Sequence, residues 1–186
     1  MRLRSILVLI SLLSLAVSAW SQTSVPAPAL SKVSSNSNDV AVSGIVLVRD
    51  NANTGLGGDV ALTHYFMKYL GFTGEADLLK SNYVELREYG FRGGPTFRLF
   101  PSSRFQPFAR GLFGYSRYKE TVTGPNRPYI NGFSYILGGG TDIVLVGPLS
   151  ARLSGDFEDD PSFVGNKTRL LRFGFGLKYS FGIGSH

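Results

Sequence analysis

Residues 168–181, TRLLRFGFGLKYSF, decide the fold. Leu171, Phe173, Phe175, Leu177, Tyr179 and Phe181 take every second position, and Leu170, Arg172, Gly174, Gly176, Lys178 and Ser180 fill the places between. A strand turns successive side chains to opposite faces, so this period of two makes one aromatic face and one face carrying two cations and two glycines. The first face suits hydrocarbon and the second suits water. The same alternation recurs along the chain, which points to a membrane-spanning barrel strand rather than one face of a soluble sandwich.

Seven earlier segments carry the pattern with varying clarity: 40–48, 58–66, 71–79, 89–100, 107–119, 132–146 and 149–157. Together with the terminal stretch they predict an all-β fold, an eight-stranded antiparallel up-and-down transmembrane β-barrel. An even count returns both termini to one side. DNANTGLG at 50–57 and Gly147-Pro148 are turn signals. Pro95 has no ladder donor, so in mid-strand it implies a bulge or a locally broken hydrogen bond. The joins after the first, third, fifth and seventh strands read as long and polar and the others as brief. Outer-membrane barrels have short periplasmic turns and longer external loops, so this parity places both termini in the periplasm.

The N-terminus reads as an export signal. Arg2 and Arg4 precede an apolar run at 6–17, and Val17-Ser18-Ala19 is a small-x-small cleavage site. Those 12 residues would extend about 18 Å as a helix, too short for a hydrocarbon core of ~30 Å. The expected organisation is a signal peptide at 1–21, a flexible periplasmic linker at 22–38, and an outer-membrane barrel at 39–186. The linker segment, QTSVPAPALSKVSSNSN, is rich in serine, proline and asparagine and has no period.

Composition removes several function classes. Cysteine is absent, so neither disulfides nor cysteine-zinc sites are available. The formal charge of +6, or +4 without Arg2 and Arg4, is spread along the chain, which argues against nucleic acid as a partner. Only His64 and His186 are present to serve a hydrolytic triad, and neither lies in a setting that suggests one. No enzymatic activity, cofactor or metal is expected. The acidic run Glu158-Asp159-Asp160 and the DNANTG segment read as solvated loop residues rather than cation sites.

With these residues in view, the chain resembles the small OmpA/OmpX-like proteins of the outer-membrane β-barrel family. The resemblance rests on the signal peptide, the terminal FGFGLKYSF, the segment GGDVALTHYFMKYLGFTGEAD, and the pair FSYILGGGTDIVL and LSARLSGDFED. It covers residues 40–182. It implies location in the outer membrane of a Gram-negative bacterium, with outer-membrane lipid and lipopolysaccharide as surroundings. It also implies that Phe173, Phe175, Leu177, Tyr179 and Phe181 form the signal read by the barrel-assembly machinery. GIGSH after Phe181 departs from that pattern, so the last strand either continues to Ile183 or leaves a free tail.

Opposite the aromatic positions stand Asp59, Glu75, Asp77, Arg92, Arg98, Arg110, Asp142, Arg152, Asp156, Arg172 and Lys178. They are expected to form a near-balanced charge network inside the barrel, with Arg152 and Asp142 as one pair. An eight-stranded barrel is just wide enough for side chains to fill it. The expected function is therefore a filled structural or interaction barrel whose loops, chiefly 120–131 and 158–167, meet envelope components or an extracellular ligand. The alternative is a narrow porin-like channel for small solutes or ions. A soluble lipocalin-type barrel is disfavoured because its inner face should be apolar.

Overall fold

The computed structural model describes residues 36–49, 54–81, 87–119, 130–160 and 168–182. Eight strands follow one another: β1 (Ser37–Arg49), β2 (Thr54–Tyr65), β3 (Leu70–Ser81), β4 (Arg87–Arg98), β5 (Phe105–Lys119), β6 (Ile130–Val146), β7 (Leu149–Asp160) and β8 (Thr168–Gly182). Each pairs antiparallel with the next, and β8 returns to β1 from Ser37↔Gly182 to Arg49↔Leu170, so the sheet closes without an edge. Closure leaves no strand edge unpaired, the condition for a sheet to sit in lipid.

The two faces separate as the alternation requires. Val42, Val60, Leu62, Phe72, Leu78, Phe91, Phe113, Phe133, Phe173 and Phe175 are exposed on the outside, with Phe91 72% and Phe175 67% accessible. The inward positions hold nearly all of the buried charge. A water-soluble barrel would leave this apolar wall uncovered, whereas hydrocarbon covers it.

Most strands run longer than their sequence signals, while β4 keeps the expected length and shifts two residues towards the N-terminus, and this corrects three expectations. First, β2 begins at Thr54 and β4 at Arg87, so the joins after β1 and β3 are 50–53 and 82–86, no longer than 66–69 and 99–104 after β2 and β4. The contrast in length holds only in the second half, where 120–129 and 161–167 face Gly147-Pro148. Second, Ile130 and Asn131 belong to β6 and Glu158 to Asp160 belong to β7, not to loops. Third, β1 starts at Ser37, two residues ahead of the expected barrel boundary. Polar residues near the strand ends look like loop in the sequence because their partners lie on distant strands.

Pro95 takes the second of its two expected forms. It pairs with Phe72 on β3, while pairing with β5 is interrupted at Gly94 and Pro95 and resumes in the same register at Thr96↔Arg110. A true irregularity lies instead between Val144 and Val146, where the β6–β7 register shifts just before the turn. Gly147 closes that turn at φ +52°, a left-handed conformation open to glycine. The last strand ends at Gly182, and the expected signal peptide at 1–21, residues 22–35 of the expected linker and 183–186 lie outside the described residues.

Candidate functional site

The barrel interior is the candidate site, and its side chains fall into two charge clusters. In the half nearer the 82–86 and 161–167 segments, Arg92 of β4, Arg110 of β5 and Arg172 of β8 project inward, all buried. Arg110 donates from Nη1 to Glu75 Oε2 (2.6 Å) and from Nε and Nη2 to the two oxygens of Asp156 (3.1 and 2.7 Å). Arg172 donates from Nη2 to Glu75 Oε1 (3.1 Å) and from Nη1 to Asp77 (3.4 Å) and Glu158 (3.5 Å). Arg92 pairs with Asp77 and Glu158 and donates to Glu88 (3.0 Å), Ser116 (2.7 Å) and Ser134 (2.8 Å).

Several of these bonds cross the lumen. Arg92 reaches from β4 to β7, and Arg172 from β8 to β3, in each case three strands away around the barrel. The planar guanidinium, with five donors, can hold several carboxylates at once. Gly90 gives Arg92 and Asp77 their room, since a Cβ there would collide with both side chains.

The cluster at the other end is smaller and more local. Arg152 donates from Nε and Nη2 to the two oxygens of Asp142 (2.7 and 2.9 Å), directly opposite in the β6–β7 register. Lys178 Nζ lies 2.8 Å from Asp142 and 3.2 Å from Asp39. Arg98 differs from the paired role expected of it: it stacks 3.7 Å from the Tyr65 ring centre and donates to Lys68 O (2.9 Å) and Ser37 Oγ (3.1 Å). Between the clusters runs a hydroxyl ladder, Thr63 to Thr73 (2.8 Å) and Thr73 to Thr96 (2.6 Å). Ile45, Leu47, Leu79 and Leu170 form an apolar cap beyond the larger cluster.

All eleven charged residues expected inside are buried. The expected near-balance is corrected, because Asp39, Glu88 and Glu158 also point inward, giving eight carboxylates against six cations among the described residues. Glu158, expected as solvated loop, is fully buried between Arg92 and Arg172. The signal for all three was available. Asp39, Glu88 and Glu158 keep the parity of Ala41, Gly90 and Asp156, and extending each strand by one pleat would have found them. Asp59 lies 3.9 Å from Arg172 with one oxygen lacking a hydrogen-bond partner, and Asp39 has neither oxygen hydrogen-bonded. Asp159 faces the other way, accepting from Tyr135 Oη (2.7 Å).

On the outer face, Phe173, Phe175, Leu177, Tyr179 and Phe181 form one exposed row along β8, with Tyr179 and Phe181 stacked at 6.4 Å. His64 is also outside, its Nδ1 2.8 Å from Asn38 Oδ1. Among the described residues no three His, Cys, Asp or Glu side chains converge as metal ligands.

No family model matches the chain, and no curated protein sequence matches it significantly. Solved structures do. Neisserial surface protein A superposes with a TM-score of 0.62 at 9% identity, covering 80% of this chain and 98% of that one. The chain has the fold of a small eight-stranded outer-membrane β-barrel. The outer membrane protein OprG from Pseudomonas aeruginosa gives 0.60 at 13% identity, with 80% and 97% covered. The outer membrane enzyme PagL gives 0.50 at 12% identity, with 77% and 99% covered. A fold that carries both an enzyme and surface proteins leaves function to be argued from side chains.

Proposed function

We propose that this chain is a bacterial outer-membrane protein with a closed lumen, acting as a structural or interaction barrel of the envelope. The observation that carries this reading is the set of ion pairs crossing the lumen, Arg92 to Glu158 and Arg172 to Glu75, with Arg110 held between Glu75 and Asp156. In a barrel this narrow, side chains that meet across the axis leave no continuous water path, and open aqueous channels belong to barrels of about 16 strands or more. The apolar cap of Ile45, Leu47, Leu79 and Leu170 adds a second barrier.

Location follows from the apolar outer wall together with the export signal at 1–21, and the termini are assigned to the periplasm by the even strand count and the longer 120–129 and 161–167 segments. Lipid and lipopolysaccharide are then the surroundings of the wall, and an extracellular ligand would be met through those segments. The row from Phe173 to Phe181 is read as the signal for the barrel-assembly machinery. The protein is read as non-enzymatic, since His64 is engaged by Asn38 on the lipid side, away from the buried carboxylates.

Planar-bilayer recording on the refolded full chain tests the closed lumen. The expected record is silent from a barrel whose folding is verified by heat-modifiable migration. Steady ion-selective conductance, lost when Gly138 or Gly174 is replaced by a bulky residue, would establish the porin-like alternative instead.

A further inference from the structure

Outside the barrel, at the end near residues 82–86, two cations face each other across neighbouring strands. Lys80 of β3 stands directly opposite Arg87 of β4. One pleat nearer the barrel's middle, Arg117 of β5 is opposite Tyr89 of β4. Lys80, Arg87 and Arg117 are all exposed on the outer face. Like charges opposed on neighbouring strands destabilise a sheet unless an anion lies between them. For Lys80 and Arg87, the one carboxylate among the described residues on the outward register is Asp159, on β7, three strands away from β4 and bound to Tyr135.

The basic row also has an apolar floor. A cleft of about 340 Å³ opens beside it, lined by Leu56, Leu78 and the Tyr89 ring below Lys80 and Arg87. Leu56 and Leu78 are 57% and 59% exposed, and the wall continues downward through Val60 and Phe91. Glu88 also lines the cleft, but its carboxylate is buried on the inner side and bonded to Arg92. Cations at the top of an acyl-sized cleft, at the end of an apolar wall, match one amphiphile: phosphate above and hydrocarbon below.

We infer that Lys80, Arg87 and the Leu56–Leu78–Tyr89 cleft form a docking site for a phosphorylated, multiply acylated lipid of the outer leaflet. The site rests on the outer-membrane reading above and specifies its lipid contact. The phosphate groups bridge Lys80 and Arg87 and relieve their mutual repulsion. One acyl chain lies over Leu56 and Leu78. Charge near a membrane surface and apolar burial act together here, so neither a dephosphorylated lipid nor a soluble phosphate reproduces the binding.

The test uses the full chain folded in neutral detergent, with lipid retention read by native mass spectrometry. The probes are a bisphosphorylated acyl glycolipid, the same lipid with its phosphates removed, and inorganic pyrophosphate as competitor. The unsubstituted protein and a Lys68→Ser control, altered at an exposed cation on the opposite end of the barrel, should prefer the phosphorylated lipid by on the order of tenfold. Lys80→Ser/Arg87→Ser should remain heat-modifiable and lose that preference. An unchanged preference in the double variant, no preference in the unsubstituted protein, or full displacement by pyrophosphate at equal concentration would overturn the site. Cell fractionation separates the two readings: protein released without detergent sinks both, whereas outer-membrane protein lacking the preference sinks only the lipid site.

Discussion

The two ends of the lumen solve opposite charge problems. Among the described residues, three arginines face six carboxylates towards the 82–86 and 161–167 segments: Asp59, Glu75, Asp77, Glu88, Asp156 and Glu158. Towards the 66–69 and 99–104 turns, Arg98, Arg152 and Lys178 face, among the described residues, only Asp39 and Asp142. In the first cluster the cation is the scarce partner, and each guanidinium is shared among several acids across the axis. In the second the carboxylate is scarce, and Asp142 alone holds both Arg152 and Lys178. The cost of a substitution should therefore depend on which sign is limiting at that end rather than on burial alone.

The largest effect is expected at Arg92. Arg92→Met leaves Asp77, Glu88 and Glu158 buried together without their common donor, and breaking a buried pair in this way costs about 3–5 kcal/mol. The upper end of that range is expected, about 5 kcal/mol, read as the loss of urea resistance of the heat-modifiable band. Asp142→Asn should come next, at about 3 kcal/mol, because Arg152 and Lys178 then confront each other with, among the described residues, only Asp39 nearby. Were Asp142→Asn the more damaging of the two, the assignment of the scarce partner at each end would be reversed. The smallest effect belongs to Glu88→Gln. Removing one of the surplus acids should change stability by about 1 kcal/mol or less, with a stabilising sign, since the amide keeps the shape and removes a like charge facing Glu158. A loss comparable to that of Arg92→Met would show that the upper acids are not in surplus.

Most of the fold was legible in the sequence, and the charge balance was not. The alternation in residues 168–181 needs only neighbouring positions to be read, and it assigned both faces of β8 correctly. The interior parity of Asp59, Arg110 or Arg172 was equally plain, because each sits mid-strand among apolar or small neighbours. Glu88 and Glu158 were obscured by their settings: one follows a polar stretch, and the other opens the run Glu158-Asp159-Asp160, which resembles a solvated loop. Parity places both inside once each strand is extended, but their pairing with Arg92 and Arg172 across the lumen depends on barrel closure, which no local pattern encodes. Arg98 shows the converse, with parity placing it inside while Tyr65, rather than an acid, receives it.

The central claim, that charged side chains meet across the lumen and fill it, is tested most directly by a double-mutant cycle on Arg172 and Glu75, which lie on β8 and β3 and are 3.1 Å apart. Unfolding free energies are measured for the unsubstituted barrel, Arg172→Gln, Glu75→Gln and the double variant. Groups in contact couple by about 0.5–3 kcal/mol, whereas distant groups add to within about 0.5 kcal/mol. A favourable coupling of about 2 kcal/mol is predicted. Additive effects would contradict the account, because two side chains that do not feel each other across the axis cannot close it.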